Sequence, residues 1–261
     1  MATEQTASAR VFQVEAVKVA FSYAEKTVFH DFSLQIAEGQ RVAIVGPSGC
    51  GKSTFLAMLG GHLKPTKGAL TVRGRPRTVH QRDGIFPWYT VRENLALAMG
   101  AEIHDGARSR SDRLVEEKLM QWGLLDYSPL YPAALSEGLR REVEMACALS
   151  GRSSLLLLDE PFAALDALSR QELQRELIRT LHADRKQADV LRTVVLVTHD
   201  VFEAVALCQR VIVMGGRPAQ IVADIAVGSG SVAERMDSVK EVYRHLGLQN
   251  TPHPIFDNNW G

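Results

Sequence analysis

Cysteine is scarce: Cys50, Cys147 and Cys208 are the three in 261 residues, far apart and without Cys-x-x-Cys spacing. An odd, sparse set excludes a disulfide framework and a thiolate zinc site, and it fits a reducing compartment. Net charge is absent too, because 30 Lys and Arg balance 30 Asp and Glu. That removes the bulk electrostatic drive toward nucleic acid, and no nucleic-acid partner is expected. No apolar run approaches the roughly 20 residues that a membrane span needs. The runs at 155–158, 194–197 and 211–214 have the length of buried strands. The opening MATEQTASARVF lacks the apolar stretch of a signal peptide. There is no internal repeat, and Gly and Pro show no collagen-like or linker-like bias. What is present, at 46% apolar residues, is enough for a packed globule. The length favours one large domain or a core domain with an inserted subdomain.

Along the chain, residues 1–10 read as a flexible tail, 11–235 as one domain, and 236–261 as a C-terminal extension. Val11 to Ala20 is Val-rich and strand-like, with a turn near Ala24 to Lys26, and Phe32 to Ile36 alternates like a half-buried strand. Val42 to Val45 is wholly apolar, which suits a central strand buried on both faces. Between about 87 and 149 helical periods replace strand signals. Strand-like runs return at LLLLDE, TVVLVTHD, RVIVMGG and AQIVADI. Leu173, Leu177, Ile178 and Leu181 recur at helical spacing between the first two. Strand, helix, strand implies a parallel sheet with helices on its faces.

Chemistry concentrates at strand ends. Gly46-Pro47-Ser48-Gly49-Cys50-Gly51-Lys52-Ser53 fits G-x-x-x-x-G-K-[ST], with an apolar strand before it and a helical pattern after it. Such a loop turns successive backbone N–H groups around a phosphate, and the helix N-terminus adds partial positive charge. Lys52 is expected to reach the β- and γ-phosphates of a nucleoside triphosphate, Ser53 to ligate Mg²⁺, and Thr54 to donate to the α-phosphate. The run Leu155 to Leu158 ends in Asp159 and Glu160. Asp159 suits Mg²⁺ held through water, and Glu160 suits orienting and deprotonating an attacking water.

These motifs together resemble the ATP-binding subunits of ABC transporters, over about Val11 to Ile225. Gly46 to Thr54 resembles the Walker A loop and Leu155 to Glu160 the Walker B strand with its catalytic glutamate. Gln81, six residues before Pro87-Trp88, stands where the Q-loop glutamine stands. Ala164-Leu165-Asp166 resembles the D-loop and Thr198-His199-Asp200 the switch histidine element. Tyr23 holds the place of an aromatic that stacks on adenine. Phe86 to Asn94 and Gly216-Arg217-Pro218 resemble the subfamily serving uptake of nitrate, sulfonates and taurine.

The resemblance implies an α/β P-loop NTPase fold of the ABC type. Its parts are a mostly parallel core sheet, an antiparallel β subdomain and an inserted α-helical subdomain. It implies ATP and Mg²⁺, with Gln81 offering its carbonyl to the metal and His199 contacting the γ-phosphate and the attacking water. It also implies a second ATPase subunit, an integral-membrane permease and, indirectly, a solute-binding protein. The chain is then expected on the cytoplasmic face of the membrane, as a peripheral subunit of an importer.

The family's Leu-Ser-Gly-Gly-Gln signature is altered here to Leu135-Ser136-Glu137-Gly138-Leu139, and Cys147 stands where arginine is usual. The retained Ser136 and Gly138 imply binding to the γ-phosphate held by the other subunit. Glu137 admits two readings. Pointing away, its carboxylate favours the helix dipole. Near a γ-phosphate at about 5 Å and an effective dielectric near 20, it repels by roughly 3 kcal/mol. The second reading leads to a weakly hydrolytic or regulatory subunit of a heteromeric pair.

Overall fold

The computed structural model describes residues 11–79, 84–100, 110–151, 153–163, 165–186, 191–228 and 231–248. The chain opens with a long hairpin of β1 (Phe12–Tyr23) and β2 (Lys26–Ala37), followed by β3 (Arg41–Val45) and α1 (Lys52–Leu59). Strands β4 (Lys67–Val72) and β5 (Pro76–Val79) come next. The helical block consists of α2 (Val91–Ala98), α3 (Arg110–Gln121), a 3₁₀ turn at Pro132–Ala134 and α4 (Glu137–Ser150). Then β6 (Leu155–Asp159), α5 (Ala167–Lys186), β7 (Thr193–Val197), α6 (Val201–Leu207) and β8 (Arg210–Gly215) alternate. The described chain finishes with β9 (Gln220–Ala226) and α7 (Val232–His245).

Two sheets form. One is antiparallel, in the order β2-β1-β4, and the other runs β5-β6-β7-β3-β8-β9. All neighbours in the larger sheet are parallel except β8 and β9. Strand β3, apolar from Val42 to Val45, is central, between β7 and β8, as that run requires.

Alternation sorts the core into two layers. Ala43, Val45, Leu156, Leu158, Leu196 and Val213 join the helical side. Val42, Ile44, Leu155, Leu157, Val195 and Ile212 face α1 and the antiparallel sheet. On that second side Phe55 of α1 is fully buried and meets Phe32 edge-on at a centroid distance of 5.1 Å. The helical block shares the first layer: Val91, Leu95, Val115 and Leu119 belong to the same cluster as Leu156. Helix α4 supplies the join, since Val143 and Met145 to Leu149 are all buried.

Strands β4 and β5 lack a clear sequence signal. Lys67–Val72 buries no residue completely, so packing imposes no alternation on it. β5 opens on a proline and sits at the sheet edge, the position that tolerates one. The 235/236 boundary falls inside α7, whose Val239 and Val242 are buried against the sheet.

Burial pushes the thiols of Cys147 and Cys208 up to about 12. Neither side chain should react with iodoacetamide at pH 8 until the chain is unfolded in urea, and peptide mass spectrometry will read this directly. Phe55→Ala should lower the unfolding free energy by about 3–5 kcal/mol in urea titration, by removing a packed ring.

Candidate nucleotide site

Strand β3 ends at Val45, and the backbone then wraps into the glycine-rich loop. Gly46 passes so close to β8 that a Cβ there would lie 2.1 Å from the Met214 carbonyl oxygen. Gly51 has φ +107°, and a Cβ on it would press Val28 at 2.9 Å. Both positions therefore need glycine for the loop to close before α1 begins. Lys52, only 8% exposed, donates from Nζ to the carbonyl oxygens of Gly46 at 2.8 Å and Pro47 at 3.0 Å. An ammonium carries three N–H donors, and among the described residues no carboxylate pairs with this one. The loop, the start of α1 and Lys52 thus concentrate positive potential in one place.

A cavity of about 240 Å³ opens over this loop, lined by Gly49, Gly51, Lys52, Ser53 and Thr54 and walled by Tyr23, Lys26 and Val28. The Tyr23 ring meets Phe21 edge-on at 4.9 Å and remains 49% exposed, with a face available. Ser48 is exposed at the loop's crest, whereas the Cys50 side chain is buried beneath it. Larger hollows lie between β2 and β9 and between α3 and α5, but neither holds the phosphate loop or the strand-end carboxylates.

The second cluster forms where β6 and β7 end. Ser53 Oγ lies 3.4 Å from Asp159 Oδ1, closing a gap of 106 residues in sequence. The next residue, Glu160, has φ +47°, a backbone conformation uncommon for a side chain of its size. Its N–H donates to Val197 O at 2.9 Å and its C=O accepts from Ala163 at 3.2 Å. This turn ends β6 at Asp159. Glu160 Oε2 then reaches 3.4 Å from His199 Nδ1.

The histidine's own turn is well anchored. Asp200 caps α6 by accepting from Phe202 and Glu203 N–H, and the Thr198 hydroxyl accepts from Asp200 N–H. Burial raises the Glu203 carboxyl above its ordinary range, opposed by hydrogen bonds from Thr198 and Gln174.

The other expected residues are distributed as follows. Ser136 caps α4, accepting from Leu139 N–H at 3.2 Å. Gly138 packs against Leu165, whose Cδ2 would be 3.7 Å from an added Cβ. Neither lines the cavity over the loop. Glu137 is exposed and has no ion-pair partner among the described residues. Asp166 caps α5 through Leu168 and Ser169 N–H and the Ser169 hydroxyl, and those bonds hold its carboxyl below the usual range. Gln81 and Ala164 lie outside the described residues. Cys147 is buried beside Arg77 of β5, whose guanidinium donates to Ala98 O at 3.2 Å.

Sequence reasoning missed two cations at the loop. Lys26 walls the cavity. The Arg217 guanidinium would lie 3.1 Å from a Cβ on Gly49. Lys26 follows a turn next to Tyr23, which is a usable signal. Arg217 is brought to the loop only by β8 pairing with β3, which no local pattern announces.

The ABC transporter family profile matches residues 29–163. The nitrate import ATP-binding protein NrtC of Synechococcus elongatus is 40% identical over 203 residues, covering 75% of this chain and 30% of that protein. The aliphatic sulfonates import ATP-binding protein SsuB 2 of Burkholderia cenocepacia is 35% identical over 223 residues, covering 82% of this chain and 78% of that protein. A solved ATP-binding subunit of an ABC transporter superposes with a TM-score of 0.69 at 21% identity, over 92% of this chain and 95% of that one. The fold and these matches define an ATP-binding cassette, and the chain belongs to the ABC transporter family as one of its ATPase domains.

Gly46→Ala should leave helix content near normal by circular dichroism but weaken binding of a fluorescent ATP analogue by at least about tenfold, because the added methyl cannot clear the Met214 carbonyl.

Proposed function

We propose that this chain is the ATP-hydrolysing subunit of an importer for a small anion of the nitrate, sulfonate or taurine kind. In this reading it works beside an integral-membrane permease and a second ATPase subunit. One observation carries the proposal: the phosphate loop, the Ser53–Asp159 pair and the Glu160–His199 pair meet at one edge of the parallel sheet. The relatives named for nitrate and sulfonate import give the substrate class its direction. Among the described residues no helix is long and apolar enough to cross a membrane, which fits a peripheral subunit on the cytoplasmic face.

In this reading the residues take the following roles. The loop amides of 46–54 and Lys52 bind the phosphates, and Tyr23 offers its ring to adenine. Ser53 and Asp159 fit Mg²⁺, a hard cation that keeps waters and takes few protein oxygens. Bound there, Mg²⁺ would neutralise phosphate charge, and Gln81 belongs to the same ligand set by resemblance. Glu160 accepts the proton of an attacking water. His199, 3.4 Å away, holds that carboxylate in register and offers its other ring nitrogen toward the γ-phosphate. Hydrolysis is promoted only when these groups face the same phosphate, so the site needs closing from the far side.

Ser136 and Gly138 fit that closing part. With Ser136 capping Leu139, the N–H groups of Glu137 and Gly138 have no partner among the described residues and face outward at the positive end of α4. A second copy, or a related subunit, would bring this turn onto the loop near Ser48. Glu137 favours the dipole of α4 in the free chain, and its side chain stands exposed beside the turn that would meet the other subunit's nucleotide.

The permease contact falls at Phe86 and Trp88, 45% and 65% exposed, which form one aromatic face with Tyr89. Apolar exposure of that extent on an ordered turn suits a protein partner. The expected 11–235 is assigned to the ATP-binding domain, with its helical part at about 87–149, and the domain continues past 235 through the rest of α7, whose Val239 and Val242 pack into the same core.

Glu160→Gln should retain ATP binding yet slow turnover by about a hundredfold or more. It should accumulate an ATP-bound dimer in size-exclusion chromatography. A variant that hydrolyses at the parent rate, or stays monomeric at saturating ATP, contradicts the two-copy site.

A further inference from the structure

The aromatic turn before α2 is pinned on two sides by buried polar side chains that the nucleotide chemistry does not use. Asn94, 4% exposed, donates from Nδ2 to the carbonyl oxygens of Phe86, Tyr89 and Thr90 and accepts from Phe86 N–H at 2.7 Å. That fixes the turn to its own helix, α2. The second pin comes from α4. Glu144 Oε1 accepts from Gly84 N–H at 3.1 Å, and its other oxygen forms a 2.6 Å ion pair with Arg141 Nη1. Both side chains of the pair are buried, at 3% and 8% exposure.

A carboxylate buried to that degree needs both a charge partner and a hydrogen bond to remain ionised. Arg141 supplies the first, and the Gly84 amide supplies the second. Gly84 also lacks the Cβ that would crowd Glu144 Cγ at 3.1 Å and Cδ at 3.2 Å. Burial raises the Glu144 carboxyl, with Arg141 and the Gly84 amide working the other way. The contact is thus specific in direction and close-packed. It joins α4 to the segment that runs into the aromatic turn.

Those two pieces have different jobs in the reading above, on which this inference rests. One end of α4 is the Ser136 turn offered to the nucleotide of the other subunit. The segment from Gly84 leads within two residues into the exposed Phe86–Trp88 face. We propose that Glu144, held by Arg141, is a positioning residue that makes the aromatic turn follow α4, so that nucleotide-driven displacement of α4 is delivered to the permease-facing Trp88. The Arg141 ion pair lies within α4 and holds the Glu144 side chain in one arrangement, so the hydrogen bond from Gly84 N–H and the close packing of Gly84 on Glu144 cross between the two pieces as a directional link, where plain apolar contacts can slide.

The test labels the full chain with 5-fluorotryptophan and follows the ¹⁹F resonance of Trp88, assigned with Trp88→Phe. A non-hydrolysable ATP analogue with magnesium is added to saturation. Two variants are compared with the parent. Glu144→Gln keeps an acceptor for Gly84 but loses the charge pairing, and Gly84→Ala crowds the contact while leaving the ion pair. Analogue affinity is measured separately by calorimetry.

The parent Trp88 resonance should move on binding, and this movement should shrink at least about threefold in both variants while affinity changes by less than about threefold. A merely structural Glu144 would alter the resonance of the free protein and leave the binding-induced movement intact. Equal movement in parent and variants overturns the proposal, as does a parent whose Trp88 does not respond with the analogue bound. If Glu144→Gln does not fold, Gly84→Ala decides alone. A parent that does not bind the analogue indicts the nucleotide site itself, which is a separate failure.

Discussion

Strands β3, β6 and β7 are buried on both faces between their end residues, so their interiors cannot carry an unpaired charge. Polar chemistry is thereby forced to their ends. Because the three are parallel neighbours, their carboxyl ends lie at a single edge, with Ile44 and Asp159 both in register with Val197. The phosphate loop, the paired carboxylates and the histidine turn all emerge there, as ligands do in open parallel sheets. The rest of the site depends on this one constraint of apolar burial. A polar substitution inside any of the strands would disturb the edge before it disturbed a ligand.

Electrostatics complete what burial arranges. Lys52 is pulled back onto two carbonyl oxygens, with no carboxylate among the described residues spent on it, while the acids collect on the facing strand ends. Cation and anions are thus kept apart, the loop set for phosphate and the acids for a metal and a water. The left-handed backbone at Glu160 is part of the same arrangement. Ordinary strand alternation would send adjacent acids to opposite faces, but the φ of +47° takes Glu160 out of that alternation. The strain is compensated by the Val197 carbonyl, itself fixed in β7.

Helix α4 links the remaining functions because its middle is buried and its N-terminal turn is not. Met145 to Leu149 lock it into the helical-side core, while Ser136 and Glu137 stand exposed. A helix held this way projects its positive end outward at a fixed angle to the sheet edge. Glu144, held by Arg141 on the same helix, then accepts from Gly84 N–H and so ties α4 to the segment leading to Trp88. The altered signature and the buried Cys147 are changes on one helix. The Arg77 guanidinium lies beside that thiol, placing a cation from β5 next to the position where the family usually has arginine.

The sequence alone determined the phosphate loop, the acidic strand end, the histidine element, the central place of β3 and the helical block. Each is carried by local spacing or an unbroken apolar run, so neighbours in sequence suffice to reveal it. Tertiary structure alone decided that Ser53 meets Asp159 across 106 residues and that Arg217 stands over Gly49. It also decided that Glu144 reaches Gly84 and that β4 and β5 are strands at all. Those facts depend on pairing between distant segments, on exposed strands that need no pattern, and on side chains whose partners follow from sheet order. Local periodicity records which face of an element is buried; it carries no information about which other element lies against that face.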